Sequence, residues 1–312
     1  MLQLISRRLA WSVPLALAAS AVSFLLVGFL PGDAARSLLG PNATQEQLAA
    51  ARTELGLDQP LITQYFRWLS NAIQGDLGSS LISRTPVTEL LNSRLGASLS
   101  LIIGATLLAT LIGVALGIRG ARGGLVGRVV DTVSVLGLAV PDFWLALILV
   151  LTFAVTWTIF PPTGYVPFGD DPSGWLTSLV LPVVTLAVPS VAVIAKQTRD
   201  AVATALNRPF TRTLRAAGVS ERSIVYRHAL KNAAIPILTV IGLMFTGALS
   251  GTVAIEFIFA IPGLGSTAVQ ATAAHDFPLI QGVVVYFTLI VIAVNLLVDV
   301  AYGYLNPRVR LT

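Results

Sequence analysis

The sequence predicts an all-α membrane protein with six transmembrane helices. Of its 312 residues, 55% are hydrophobic and only 11% are charged, and the mean hydropathy is +0.81. Soluble domains carry about a quarter charged residues. Six apolar runs are long enough to cross the roughly 30 Å hydrocarbon core of a bilayer. The chain contains no cysteine, which excludes a disulfide framework and a cysteine-ligated metal site.

The first apolar run, at residues 9–30, follows Arg7 and Arg8. About 22 residues is long for the apolar core of a cleaved signal peptide and right for a membrane-spanning helix. Small residues at positions 18, 19 and 21 leave a signal peptide open as an alternative. We favour an uncleaved first helix.

Residues 31–94 interrupt the hydrophobicity with five arginines and six acidic residues. Helix-forming residues at 44–55 predict a short helix, and turn signals follow at Gly56, 58–60 and 75–78. The balanced charge and the turn residues predict a small, partly helical segment outside the cytoplasm.

The second and third spans are predicted at 98–118 and 129–160, on either side of a glycine-rich turn with three arginines. Asp131 should lie at the cytoplasmic interface. Pro141 should kink the third span, because proline removes one backbone hydrogen bond and clashes with the preceding turn. Asp142 is then the deepest acid, which makes it a candidate for function. Equally, it could accept hydrogen bonds from backbone groups freed by the kink.

The remaining spans are predicted at 176–195, 236–255 and 282–302. Between the last two, residues 256–281 are too polar and too rich in glycine and proline to span a membrane. They are apolar enough to dip between helices, where they could line the mouth of a pore or contact an outside partner. A plain connecting loop is the alternative.

The distribution of basic residues predicts the orientation in the membrane. Fifteen of the 20 lysines and arginines lie at the N-terminus, in the 119–128 turn, in residues 196–231 and in the tail. By the positive-inside rule, these segments and both termini are cytoplasmic. The net charge of +5 thus follows the membrane topology and gives no indication of a nucleic-acid partner.

The most basic stretch, at residues 196–236, contains eight lysines and arginines and only two acids. Pro209 predicts a helix start near 207–209, because proline is tolerated in the first turn of a helix. Gly218 predicts the end of that helix, and Ser220 the N-cap of a second one with Glu221 in its first turn. A basic loop that merely fixes topology is the alternative. We favour a rigid helical hairpin onto which a cytoplasmic partner docks.

The same stretch matches a known pattern, RTxRAxG-x9-HALxNAxxP, at all its specified positions. These are Arg212, Thr213, Arg215, Ala216, Gly218, His228, Ala229, Leu230, Asn232, Ala233 and Pro236. The pattern is typical of the cytoplasmic loop in permeases of ABC importers of the peptide/nickel type, which the chain resembles. The general form of that loop, EAA-x3-G-x9-I-x-LP, matches less well. Arg212, Thr213 and Leu214 stand at the Glu-Ala-Ala positions, and His228, Leu230 and Lys231 stand at the Ile, Leu and Pro positions.

The resemblance extends over essentially the whole chain. Matching motifs occur at 31–33 (PGD), 55–60 (LGLDQP), Tyr65, 75–78 (GDLG), 86–87 (PV), Glu256, Phe259, 262–265 (PGLG) and 276–278 (DFP). The tail, NPRVR at 306–310, resembles the family's DPRxR with Asn306 in place of Asp. We therefore predict four parts of the chain: a first helix at 1–30, an extracytoplasmic segment at 31–94, a five-helix core at 95–305, and a tail at 306–312. The core contains the cytoplasmic helical hairpin, at 196–235, that would couple it to the ATPase.

The resemblance implies a type I ABC importer-like fold in a bacterial inner membrane. The chain would form half of a pathway in the lipid bilayer together with a second, homologous permease. Two cytoplasmic ATPase subunits would hold ATP and Mg²⁺, and an extracytoplasmic binding protein would deliver the substrate. The chain itself has no G-x4-GK[ST] phosphate loop. We therefore expect no enzyme activity and no bound cofactor in this chain.

The predicted helices and the matching motifs together give two sets of candidate site residues. For docking of the ATPase they are Arg212, Thr213, Arg215, Ala216, Ala217, Gly218, Ser220, Glu221 and His228. For the pore or the binding protein they are Asp142, Glu256, Pro262, Gly263, Gly265 and Asp276. No catalytic or metal-ligating residue is predicted.

Substrates of such importers include peptides, glutathione and nickel. We favour peptides over nickel, because the chain has no cluster of histidine or cysteine for a borderline metal. A glutathione or nickel importer of the same type is the alternative. An ion-coupled secondary transporter is the alternative from another class, with Asp142 as its candidate ion site.

Overall fold

The computed structural model describes residues 2–29, 34–40, 42–54 and 56–305, and within them the regular structure is helical. The helices are α1 (Leu2–Gly28), α2 (Ala34–Leu39), α3 (Gln45–Glu54), α4 (Leu61–Ile73), α5 (Val87–Gly120), α6 (Gly124–Ala139), α7 (Asp142–Leu149), α8 (Pro172–Leu206), α9 (Pro209–Ala216), α10 (Glu221–Ser223), α11 (Leu230–Ile258), α12 (Leu264–Ala273) and α13 (Phe277–Leu305). Two π-helical turns, Val150–Thr156 and Ile224–Ala229, follow α7 and join α10 to α11.

The all-α membrane class is confirmed. In the part of the chain that the structure describes, five helices are long and apolar enough to cross a membrane. The pair α6 and α7 brings the number to six if it forms one broken span. Of the motifs used above, residues 31–33, Leu55 and the tail at 306–310 lie outside the described residues.

The membrane helices extend beyond the apolar runs that predicted them, most of all in three cases. α5 begins at Val87 rather than at 98, and α8 continues to Leu206 rather than ending at 195. The helix of the fifth span begins at Glu221 rather than at 236. An apolar run marks only the part of a helix that suits hydrocarbon, whereas the i to i−4 hydrogen bonds continue through polar residues.

The third predicted span is broken rather than kinked. α6 ends at Ala139, Val140 is extended with φ −83° and ψ 119°, and α7 starts after Pro141. The two helices differ in direction by 99°. Proline disfavours helical backbone in the residue before it, so two consecutive residues leave the helix. The effect of Pro141 is therefore larger than the predicted kink with one lost hydrogen bond.

The chain forms two compact units that are discontinuous in sequence. The first unit contains Leu99–Ile261 and the described residues at both chain ends, and the second contains Ser6–Ser98 and Pro262–Ala293. α5 and α13 each contribute residues to both units.

In the first unit, α8 packs against α6, α7 and α11. Two glycines let α5 approach α8 closely. A Cβ on Gly113 would lie 2.9 Å from Cβ of Ile194, and a Cβ on Gly117 would lie 2.5 Å from Cβ of Thr198. Small residues in this arrangement are typical of tightly packed membrane helices.

An ionic cluster joins α6 to α8 in the same unit. Asp131 pairs with Lys196 at 3.1 Å and also with Arg199. Lys196 in turn pairs with Asp200 one helical turn further along α8, at 3.0 Å. A cluster of charged side chains is compatible with the position at the membrane interface that we expect for Asp131.

In the second unit, buried side chains from α1, from the segment before α5, and from α5, α12 and α13 form one core. Its members are Val27, Leu77, Val87, Leu91, Leu264, Ala271, Leu279, Ile280 and Val283. Gln281, which is 2% exposed, accepts a hydrogen bond from Ser23 and donates one to the carbonyl of Ser20. These contacts pack α1 against α13, and an uncleaved first helix stays a prediction.

Candidate functional site

The basic stretch is built differently from the separate hairpin that we predicted. Its first part is the end of α8, and its last part belongs to the continuous helix Glu221–Ile258 that enters the fifth span. Only α9 is a separate helix. Because of this, α9 connects two membrane helices directly.

The predicted start of α9 is confirmed. Arg208 caps the helix in an extended conformation, with φ −72° and ψ 152°, and Pro209 occupies the first helical position. Thr211, which is fully buried, donates from Oγ1 to the carbonyl of Ala205 at 3.1 Å. This hydrogen bond ties α9 to the last turn of α8. No feature of the sequence marks Thr211 as the anchor, since its partner lies on another helix.

The predicted end of α9 is also confirmed. Gly218 has φ +77°, and nothing lies within 4 Å of the place where a Cβ would be. The N–H of Gly218 donates to Arg215 O, and the N–H of Val219 donates to Leu214 O, both at 3.0 Å. This pair of bonds is the Schellman motif, which favours glycine at the left-handed position.

The second predicted cap is present at Ser220. Its Oγ accepts from the N–H of Ser223 at 3.4 Å, and Glu221 lies in the first helical turn. Arg215 Nε donates to Glu221 Oε1 at 2.5 Å, across the glycine turn. This hydrogen bond raises the pKa of the Arg215 guanidinium. The turn is therefore closed by backbone bonds and by an ion pair on its outer side.

A buried apolar cluster packs α5 against the two helices that α9 connects. It consists of Ile118, Val202, Ala205, Val225, Ala229, Ala233 and Ile237. None of the residues predicted for docking belongs to this cluster. Eight of these nine are exposed, and His228, in the π-helical turn, is partly buried. The arrangement presents a cationic, rigid surface backed by a packed core.

Asp142 is the first residue of α7, directly after the break at Pro141, and is half-buried. A Cβ on Gly251 would lie 3.6 Å from Asp142 Oδ2, so the carboxylate lies beside α11. Within the described residues, it accepts no hydrogen bond from the backbone. The alternative in which Asp142 serves backbone groups freed at the proline therefore has no support in the structure, although an acid in the first turn also stabilises α7.

The residues predicted at the outer pore mouth are mostly packed inside their own units. Glu256 is fully buried near the end of α11 in the first unit. In the second unit, Gly263 and Gly265 are buried at the start of α12, and Pro262 is partly buried. The N–H of Leu264 donates to Ser98 Oγ at 2.7 Å. These positions have clear roles in packing, and their contact with a partner stays a prediction.

Asp276 is 1% exposed and closes the loop before α13. Its carboxylate accepts hydrogen bonds from Ser80 Oγ and from the N–H of Leu81 at 3.1 Å. It also accepts from the N–H of Leu279 at 3.4 Å. Asp276 thus joins the segment before α5 to the start of α13. Ser80 was not predicted, because the two residues are almost 200 positions apart.

Two family matches together cover nearly the whole chain. Residues 109–311 match the family described as the binding-protein-dependent transport system inner membrane component. Residues 1–102 match the N-terminal part of the membrane component of the same systems.

Individual relatives agree with the family matches. The chain is 40% identical to a putative peptide transport system permease protein of Brucella abortus, over 99% of each chain. It is 38% identical to a probable peptide ABC transporter permease protein of Sinorhizobium fredii, over 98% of each chain. It is also 38% identical to a glutathione transport system permease protein of Salmonella paratyphi A, over 99% of each chain.

These matches decide between the predicted classes. An ion-coupled secondary transporter is not supported, whereas the resemblance to permeases of ABC importers is confirmed. The chain belongs to the family of inner membrane components of binding-protein-dependent transport systems and is a multi-pass permease subunit of an ABC importer.

Proposed function

We propose that the chain forms half of the pathway through which peptides, delivered by an extracytoplasmic binding protein, enter the cytoplasm. A second, homologous permease forms the other half. Two cytoplasmic ATPase subunits bind ATP and Mg²⁺ and supply the energy, so this chain catalyses no reaction and binds no cofactor. Both of its termini and α9 lie in the cytoplasm, as the charge distribution indicates.

The observation that carries the proposal is the geometry of α9. The helix is short, its ends are fixed by Thr211 and by the turn at Gly218, and its exposed side carries Arg212 and Arg215. An ATPase subunit that binds this surface can push on α8 and on the helix of the fifth span at once, since α9 connects them. A flexible loop would absorb such a movement instead.

Peptides are the substrate class that the relatives favour. The similar proteins of Brucella abortus and Sinorhizobium fredii are named for peptide transport. The similar protein of Salmonella paratyphi A is named for glutathione, which is itself a tripeptide. With two histidines and no cysteine, the chain offers few ligands for nickel.

Asp142 is our candidate for the recognition of a positively charged group on the substrate, such as the α-amino group of a peptide. The carboxylate is half-buried at a helix break and lies beside Gly251. Asp142→Asn keeps the shape and removes the charge. We expect normal assembly and a selective loss of uptake for cationic peptides. Uptake at the wild-type rate for every peptide would contradict the electrostatic role.

We propose that the binding protein contacts the end of α12. There Thr272 and Ala273 are exposed, and Ala274 is partly exposed, whereas Asp276 is buried. A cross-linker attached at Ala274→Cys should capture the binding protein. Failure at this position, together with capture from Ser83→Cys in another exposed loop, would favour a plain connecting loop.

Reconstitution tests the function as a whole. Proteoliposomes that contain both permeases and both ATPases should accumulate a labelled tripeptide only when ATP and the loaded binding protein are supplied. An ATPase variant without its phosphate-loop lysine is the control and should abolish uptake. Uptake that persists without ATP and collapses with an ion gradient would overturn the proposal.

A further inference from the structure

A cavity of about 520 Å³ lies in the second unit, behind α4. Its walls come from the last turns of α1, the turn after α3, α4 itself and the start of α13. Apolar side chains from each of these elements line it, namely Phe24, Val27, Leu57, Leu61 and Phe277. A volume of this size suits a small molecule or part of a larger one.

Two basic side chains line the cavity. Arg52 and Arg67 line it, and no acidic residue does so among those that the structure describes. Arg67 extends over Gly56, where a Cβ would lie 2.6 Å from Arg67 Nη1. Gly56 has φ +67°, so glycine serves both the turn and the space for the guanidinium. A guanidinium beside apolar walls binds anionic oxygens well, phosphate above all.

α4 lies along the outer half of the first span. A Cβ on Gly28 would lie 3.0 Å from Leu61, at one end of α4. Tyr65 reaches much further down α1, because its hydroxyl lies 3.0 Å from Ser20 Oγ and 3.3 Å from Leu17 O. From Leu17 to Gly28, a helix rises by roughly 16 Å. α4 therefore lies beside residues that we expect within the hydrocarbon.

The exposed side of α4 carries two different stripes. Ile62, Phe66 and Ile73 form an apolar stripe, with exposed fractions of 71%, 62% and 77%. Thr63, Arg67 and Ser70 form a polar stripe beside it. Spacings of three, four and seven residues place each set on one face. A helix of this kind is typical of the boundary between lipid and water.

We infer that α4 lies in the membrane leaflet on the side of residues 34–94 and that the cavity behind it binds an anionic phospholipid. The phosphate contacts Arg67, and the upper part of one acyl chain covers the apolar walls. A lipid fits better than a free anion, because it matches the charge and the apolar lining together. It also reaches the cavity by diffusion within the leaflet. The inference rests on the membrane topology of the proposed function but not on the transported substrate.

Lipid retention tests the site in the purified full-length chain. Detergent-solubilised protein is supplied with phosphatidylglycerol or phosphatidylcholine, and native mass spectrometry measures the lipid that stays bound. We expect phosphatidylglycerol to be retained preferentially. Arg67→Gln should weaken its retention roughly tenfold, as the loss of one charge-assisted contact predicts. Arg84→Gln changes an exposed arginine of the same unit outside the cavity and should have no effect.

Competition experiments distinguish a bound lipid from free phosphate and from a peptide. Inorganic phosphate should not displace phosphatidylglycerol, because it cannot cover the apolar walls; displacement would assign the cavity to free phosphate. A tripeptide that displaces the lipid through its carboxylate would assign it to the substrate instead. Equal retention of the two lipids, or equal retention by wild type and Arg67→Gln, would also overturn the inference.

Cysteine labelling tests the position of α4. The chain has no cysteine, so single substitutions report on one site each. In intact membranes, a water-soluble maleimide should label Ser70→Cys and leave Phe66→Cys unlabelled. After solubilisation it should label both. Equal labelling in intact membranes would place the apolar stripe in water. Neither experiment involves the ATPase, so a failed transport assay and a failed lipid assay are distinguishable.

Discussion

The ends of α9 and α11 are closed by the same hydrogen bonds but by different residues. After α9, the left-handed position is Gly218, with φ +77°. After α11 it is Ala260, with φ +51°, where the N–H of Ile261 donates to Glu256 O at 2.8 Å and that of Ala260 donates to Phe257 O at 3.3 Å. Alanine is less favourable than glycine in this conformation by roughly 1 kcal/mol.

The difference lies in what surrounds each turn. Gly218 is exposed, as are the residues just before it. Ala260 lies between Phe259 and Ile261, which are 2% and 1% exposed. The carbonyl of Phe259 also accepts from the N–H of Gly164 at 2.8 Å. An exposed turn depends on its own residues, whereas a turn between buried neighbours is held by packing and tolerates a less suitable residue.

Removing the packing should have the largest effect. Phe259→Ala should destabilise the protein by about 3 kcal/mol or more, because it leaves a cavity next to a strained turn. Thermal unfolding in one detergent measures the change. Phe257→Ala is the matched control, since Phe257 lies at the same helix end with 68% of its surface exposed. Equal effects of the two variants would show that packing does not hold the turn.

Removing the glycine should come next. Gly218→Val should cost about 1–2 kcal/mol, because a β-branched residue is forced into the left-handed region. ATP-driven uptake should fall several-fold while membrane insertion persists. Gly75→Val is the control, since Gly75 ends α4 with the same pair of backbone bonds, has φ +89° with open space around it, and lies outside α9 and its turn. Full uptake by Gly218→Val with the ATPase still bound would count against docking at α9.

Removing the second cap should have a smaller effect. Ser220→Ala should cost about 0.5–1 kcal/mol, because the N–H of Ser223 loses its side-chain acceptor. Ser220→Asp restores an acceptor and should recover the loss. Thermal unfolding measures both variants. No loss in Ser220→Ala would mean that the long hydrogen bond at this cap contributes nothing.

Relieving the strain after α11 should have the smallest effect, with the opposite sign. Ala260→Gly should stabilise the protein by about 0.5 kcal/mol, since the relief of left-handed strain exceeds the added freedom of the unfolded chain. Ala217→Gly is a control at a helix end with ordinary φ and should destabilise slightly. Destabilisation by Ala260→Gly would show that the methyl group contributes packing that outweighs the strain.

Local chemistry explains what could be predicted about the docking site. Pro209, Gly218 and Ser220 act through their own backbone or through hydrogen bonds a few residues away, so the start and end of α9 followed from the sequence. The extent of the flanking helices did not. Apolar runs end where the hydrocarbon should end, but α8 and the helix of the fifth span continue through polar residues.

The sequence alone determined the class of the protein, the number of its apolar runs, the helix boundaries around α9 and its family. These depend on composition, on the positions of proline and glycine, and on motifs in order. Tertiary structure decided which residues of separate elements meet: Ser80 with Asp276, Thr211 with Ala205, and Arg67 over Gly56. It also decided that α6 and α7, on either side of Pro141, differ in direction by 99°. Such contacts depend on how packed helices are placed, and no short stretch of sequence contains that information.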